Sequence, residues 1–420
     1  MRKQIRKHKR ILAVVGLAIV AGVVFNELRI QRTEREIPRP ETGPPVTGML
    51  ISKTEIMGLP ASGAAWETMK KDADRIPAVH PGKQNNRGCA HLMAAGLVSQ
   101  RVGTSSYQAA VRDELVAITS IGYNRPNATL ALGRNLLACV VAADLIDLRS
   151  FDPQANATFV RWLADIRRRE LPDAHDRWTS LTTTCENSAN NWGTSACASL
   201  LAVHSYLGDR AGVNRVWDLF QAWVGDRGKY PEDGLGERGY FQPTGSWDAS
   251  YFCGGRSRWV AVNPTGCAAR GGYNLDGGLG EELSRSRRSC CPPDKSGLSY
   301  DFAGLRGALG TAELLWRQGF DVFSSGNQGL RRAMEYLCRN DQCTPLRRSV
   351  NAWLGHAINF HYGTSFPEEA ISGDPGYNLS YGDWLWGRDR TELRIQTEDP
   401  AEIREESSAG RSSTPARHQR

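Results

Sequence analysis

Apolar residues recur through most of this chain at helical spacing. Leu132, Leu136, Cys139, Val140, Ala143 and Ile146 form one stripe at helical period, the pattern of a helix with one face in a core. Similar stripes run around residues 61–75, 89–102, 105–120, 153–168, 193–207, 211–224, 301–318, 327–338 and 348–360. Turn residues separate many of them, as at Gly122, Pro126, Gly208-Asp209 and Gly319. About ten helices in succession with short connections predict an all-α fold of stacked antiparallel hairpins. Residues 226–299 break the rhythm. They are dense in glycine and aromatics, among them Tyr230, Tyr240, Phe241, Trp247, Tyr251, Phe252, Trp259 and Tyr273. A long ordered loop region that lines a substrate is the expectation there.

The two ends differ from this middle. Arg2, Lys3, Arg6, Lys7, Lys9 and Arg10 precede an apolar run from Ile11 to Phe25, a charged flank followed by a hydrophobic segment. The run is shorter than a typical membrane span of about 20 residues, and no small-x-small cleavage site follows it. Residues 1–26 are therefore expected to form a signal anchor or, as the alternative, a cleaved signal peptide. In either case the body is exported, either anchored through the N-terminal helix in the periplasm or outside the cell, or secreted. Residues 27–58, rich in Pro, Glu, Arg and Thr, are expected as a linker. Residues 59–387 form the expected helical domain. Residues 388–420 lack core-forming residues and are expected as a disordered tail.

The formal net charge is +7, and the six cations of the first ten residues carry most of it. The exported body is then close to neutral, which gives no support for a nucleic-acid partner but leaves room for a local basic groove facing a polyanion. Ten cysteines form an even set, compatible with disulfides in an exported compartment. Cys338 with Cys343, and Cys253 with Cys267, are the expected local bridges. No CxxC pair or Cys/His ladder points to zinc, so no metal and no cofactor is expected.

Candidate chemistry lies in two segments about a hundred residues apart. One contains Asn190-Asn191-Trp192-Gly193-Thr194-Ser195. The other contains Glu281-Glu282-Leu283-Ser284-Arg285 and resumes at Leu298-Ser299-Tyr300. A paired amide, an arginine and a tyrosine are the set needed to neutralise a sugar carboxylate and remove the proton beside it. With Asn127–Leu136, Ala312-Glu313-Leu314, Gln318–Asp321 and Tyr362-Gly363-Thr364-Ser365-Phe366-Pro367, these motifs stand in an order that resembles the alginate lyase superfamily of exported polysaccharide lyases, in its Asn-Asn-Trp branch. The likeness covers about residues 60–387.

That resemblance implies an incomplete α/α toroid of helical hairpins around a cleft, and β-elimination at a uronic acid within an acidic polysaccharide. Carried over to this chain, it implies Asn191 and Arg285 as groups that neutralise the carboxylate and Tyr300 as base and acid, with Asn190, Trp192, Tyr240, Arg288 and Tyr362 as substrate-binding residues. The chain departs from the family pattern where histidines are found: Trp192 and Ser195 occupy those places. His361, beside the Tyr-Gly-Thr motif, is the expected stand-in.

The same residues admit plainer roles. Asn190 and Asn191 suit the cap of the helix that follows, and Trp192 and Tyr300 could be packing residues. A free phenol has a pKa of about 10, so Tyr300 needs a nearby cation such as Arg285, Arg287 or Arg288 to act as a base. Two other functions stay open. One is a glycoside hydrolase on the same architecture, for which Asp276, Glu281 and Glu282 are the acidic cluster at hand. The other is a carbohydrate-binding protein with a degenerate lyase site.

Overall fold

The computed structural model describes residues 48–172, 179–230, 241, 249–254, 258–269, 271–285, 298–339, 343, 351–368 and 375–387. The anchor at 1–26, most of the linker and the tail from 388 lie outside the described residues, as do Tyr240, Arg288, Cys290 and Cys291.

The helices are α1 (Lys53–Gly58), α2 (Ala64–Ala73), α3 (Gly88–Val102), α4 (Ser105–Ala117), α5 (Ala128–Leu145), α6 (Leu148–Phe151), α7 (Pro153–Ile166), α8 (Leu181–Glu186), α9 (Asn191–Leu207), α10 (Arg210–Val224), α11 (Gly280–Arg285), α12 (Leu298–Trp316), α13 (Ser325–Cys338), α14 (Ala352–Tyr362) and α15 (Gly382–Leu385). Among the described residues there is no β-strand, only two isolated bridges, Val262 with Leu279 and Ala268 with Asn274. The fold is all-α, as the helical periodicity predicts.

Two kinds of helix divide the work. Helices α5 and α9 are buried on nearly every side, which fits their apolar sequences. Helix α5 is long and apolar enough to cross a membrane, yet it lies inside the protein. Helices α7 and α10 bury a single face: Ala155, Phe159, Trp162, Leu163 and Ile166 in one, Val213, Val216, Leu219, Phe220 and Trp223 in the other.

The contacts set the direction of the central helices. Cys89 is bonded to Cys139, and further along the same pair Gln100 Nε2 donates to the Leu145 carbonyl, so α3 and α5 run parallel. Trp192 packs on Leu130 at one end of the next pair, and at the other Arg149, just beyond α5, donates to the Tyr206 carbonyl. Helices α9 and α12 meet where a Cβ on Gly307 would stand 2.4 Å from the Ser195 nitrogen, and again where Gln318 Nε2 donates to Ser205 Oγ at 3.0 Å. Arg306 reaches Asn351, and Glu313 reaches His361, which aligns α12 with α14. Five central helices thus run parallel, each beside the next. A Cβ on Gly133 would lie 2.9 Å from the Ala196 nitrogen, so glycines on both sides let α5 and α12 close on α9. Helices α4 and α10 return in the opposite sense: Gln108 lies by Ile146 and Tyr123 by His80, while Gly212 lies by His204 and Trp223 by Ala189.

Residues 375–387 join the two ends of this row. Trp353 Nε1 donates to the Tyr377 carbonyl, Trp384 Nε1 to the Pro60 carbonyl at 2.9 Å, and Tyr381 Oη to Asp72 at 3.1 Å. The linker ends earlier than its composition predicts. Met49, Leu50 and Ile51 are buried, α1 carries a Ser52–Glu55 capping box, and Arg317 pairs with Glu55 at 2.8 Å. The few apolar residues among the polar ones are what dock this stretch.

Among the described residues four disulfides join Cys89–Cys139, Cys185–Cys197, Cys253–Cys267 and Cys338–Cys343. Both local bridges expected from the sequence are among them. They fit an oxidising, exported compartment. In the 226–299 region the described aromatics pack on one another. Phe252 and Trp259 stack at 4.6 Å between centroids, with Phe241 edge-on to both and Tyr251 fully buried. These rings form a local core rather than the substrate-lining surface expected of them.

Candidate active site

The asparagine motif sits where α9 begins. Asn190 is the N-cap, and its Oδ1 accepts from the Trp192 N–H at 3.0 Å and from Ser188 Oγ at 2.7 Å. Its Nδ2 donates to Glu281 Oε1 at 2.8 Å, and the Asn191 N–H donates to Glu282 Oε1. The first turn of α9, with its unsatisfied N–H groups and positive dipole end, thereby holds two carboxylates of α11. Glu281 and Glu282 are each only 2 % exposed. Gly193 completes the junction, since a Cβ there would strike the Ser188 carbonyl at 1.7 Å.

This docking brings the two motifs together. Glu282 also lies against Gly304 of α12, where a Cβ would stand 3.4 Å from its Oε1. Tyr300 stands about one turn before Gly304, at the same end of α12, and is 40 % exposed. Helix α11 ends at Arg285, whose side chain lies outside the described residues. The Asn motif, the arginine segment and the tyrosine therefore share the end of the protein at which the parallel helices begin.

Asn191, in the same motif, is 1 % exposed, and its N–H holds Glu282 of α11. Trp192 is buried against Leu130 and is a packing residue. His361 hydrogen-bonds Glu313 at 2.9 Å and stacks on Phe323 with centroids 3.6 Å apart. Glu313 stands more than three turns beyond Tyr300, about 20 Å along the helix, which puts His361 at the opposite end. Tyr362 is there too. Its hydroxyl donates to the Phe323 carbonyl at 2.8 Å, and burial pushes its phenol up. The Tyr-Gly-Thr motif closes α14, with Gly363 at φ 65° as its left-handed cap.

The same end holds a cluster to which the motifs contribute only Arg134. The guanidinium carbons of Arg87, Arg306 and Arg134 lie 3.2, 4.9 and 5.2 Å from the ring centroid of Tyr377. Tyr377 Oη donates to Asn85 Oδ1 at 2.8 Å, and Arg306 Nη1 donates to Asn351 Oδ1 at 2.7 Å. Arg306 is 3 % exposed and Tyr377 8 %. Burial pushes the Arg306 guanidinium down to about 9, and the charges of Arg134 and Arg87 push the same way. A sequence signal for this cluster exists. Arg134 and Arg306 each stand among mostly apolar residues of a long helix, and a charge in such a run is seldom placed for packing.

Of the acidic cluster, Asp276 pairs with Arg332 at 2.8 Å and accepts from the Gly266 N–H at 3.1 Å. Arg332 also donates to the Gly326 and Asn327 carbonyls, so Asp276 braces the loop leading into α11. Among the described residues no group of three His, Cys, Asp or Glu side chains is arranged to hold a metal ion. No protein-family model and no curated relative matches the chain.

Proposed function

We propose that the protein is an exported polysaccharide lyase that cleaves a uronic-acid polymer by β-elimination, on an incomplete α/α toroid attached to the membrane through residues 1–26. The observation that carries this reading is the docking of Glu281 and Glu282 on the start of α9, with Glu282, three residues before Arg285, against Gly304, about one turn from the exposed Tyr300. Parallel central helices with α4 and α10 returning between them support the toroid. The arginines around Tyr377 at the same end support an anionic substrate.

In the proposed reaction Arg285 neutralises the carboxylate on C5 with paired, charged hydrogen bonds. Tyr300, as phenolate, takes the C5 proton. The electron pair left behind forms the C4–C5 double bond as the C4–O4 bond breaks, and the Tyr300 hydroxyl returns a proton to O4. Asn190 and Asn191 position α11 and touch no substrate. The hydrolase alternative needs two carboxylates facing the bond. Asp276 is held by Arg332, and Glu281 and Glu282 are buried by the α9 terminus, so this cluster offers no such pair.

A panel of uronate polymers, followed by far-ultraviolet absorbance of the unsaturated product, tests the reading. Tyr300→Phe should keep the fold and lower turnover by about a hundredfold or more. Unchanged product formation by this variant removes Tyr300 from the mechanism, and release of reducing ends without the absorbance replaces elimination with hydrolysis.

A further inference from the structure

We infer that the cavity between residues 48–56 and the last turns of α3 and α5 binds a small organic ammonium ion, held by Asp144 and Asp147. The inference is independent of the lyase reading. This cavity lies at the end where the parallel helices finish, opposite the end that carries Tyr300.

The cavity has a volume of about 330 Å³, within the range of small-molecule sites. Ile51, Lys53 and Ile56 line it on one side, Gln100 of α3, Asp144 of α5 and Asp147 just beyond α5 on the other. Asp144 is half-buried and accepts from the Met49 N–H at 2.9 Å. Among the described residues no cation forms an ion pair with Asp144 or Asp147. Arg149 stands near, but its guanidinium lies over the Tyr206 ring and donates to the Tyr206 carbonyl. Lys53, exposed at the edge of the cavity, is the lining cation. Two carboxylates against one lysine leave the lining negative, and the carbonyl end of α5 adds to that field. Burial raises Asp144 to about 6, so at neutral pH its charge is held at a cost that an entering cation offsets. Gln100 Nε2 donates to the Leu145 carbonyl, which leaves its Oε1 as a third acceptor. An ammonium group has three N–H donors for these acceptors, and Ile51 and Ile56 offer apolar surface to the carbon chain behind it. A bare metal ion is less well served, since no third acidic, histidine or cysteine side chain joins the two aspartates among the described residues.

Calorimetric titration of the full chain with butylammonium chloride at pH 7, beside sodium butyrate and calcium chloride, tests the site. Butylammonium should bind and butyrate should not. Asp144→Asn should weaken binding about tenfold, and Asp147→Asn, at an exposed position, about threefold. Asparagine suits both the cap that Asp147 gives α6 and its φ of 46°, so this variant removes the charge and keeps the turn. Lys53→Gln removes the competing cation and should tighten binding about twofold. Asp147, Arg149 and Lys53 are the charged groups around Asp144. In the parent, affinity should therefore fall about tenfold between pH 7 and pH 5 as Asp144 takes up its proton, and in Asp144→Asn it should stay nearly level. No binding, equal affinity across variants that melt like the parent, or a preference for butyrate overturns the inference. Calcium binding that excludes butylammonium overturns it too, and makes the cavity a metal site.

Discussion

Burial sets the character of single residues here, and Asp144 shows it most directly. Its carboxylate accepts from the Met49 N–H at 2.9 Å, yet burial outweighs that bond and raises its pKa to about 6. A carboxyl raised on folding makes the native state bind the extra proton. Its stabilising effect is complete below the ordinary aspartate range and is lost as pH climbs to about 6. Asp144→Asn retains an acceptor for Met49 and removes the titration. The difference in unfolding free energy between variant and parent should therefore change by about 3 kcal/mol across this window. Parallel stability curves from pH 4 to pH 7 would contradict the assignment. Asp209 works in the opposite sense: the His204 hydrogen bond, above all, holds its carboxyl down, so its contribution is lost as pH falls, and comparison with the variant isolates Asp144. None of this is legible in Ala143-Asp144-Leu145, because burial depends on what Gly48 and Met49 bring from another part of the chain.

The start of α9 shows how one element serves two ends. Asn190 before an apolar run reads from sequence alone both as a helix cap and as a carboxylate-binding amide. The structure makes it the cap, with its other end on a buried carboxylate, Glu281. Asn190→Ala should cost about 3 kcal/mol in urea unfolding, the lost cap together with a buried acceptor left without its donor. Asn190→Ser should recover roughly the cap's share, about 1 kcal/mol. Equal losses from the two substitutions would show that the Glu281 contact carries the effect. The periodicity of α5, α7, α9 and α10 was legible, since the apolar stripes follow from helix geometry alone. The aromatic region between α10 and α12 was not. Rings facing one another across a loop and rings facing a substrate have the same sequence.

Across the whole molecule, parallel helices are held in line by links between distant segments. Cys89–Cys139 ties α3 to α5 across 50 residues, whereas Cys338–Cys343 spans 5. Loop-closure entropy makes the long bridge worth about 4 kcal/mol and the short one about 2 kcal/mol. Replacing each pair by alanines should destabilise the protein in that order under oxidising conditions, measured by denaturant unfolding. A reversed order would mean that packing around the sulfurs outweighs chain entropy. Parallel helices also place their positive dipole ends together, at the end that carries Tyr300, Arg87, Arg134 and Arg306. That field would attract the acidic polymer proposed as substrate before it met any one side chain.

The sequence by itself determined the all-helical class and two of the disulfide pairings seen among the described residues, and it offered the residue types of the elimination site proposed above, because periodicity, short cysteine spacing and motif order are local properties. Only the tertiary structure decided which of those residues share a place. It buried Asn191, Trp192 and the side chain of His361, kept Tyr300 at the surface, and gathered three arginines from distant segments onto Tyr377. Exposure and the company of charges depend on contacts between segments far apart in the chain, and a pattern read along the chain does not contain them.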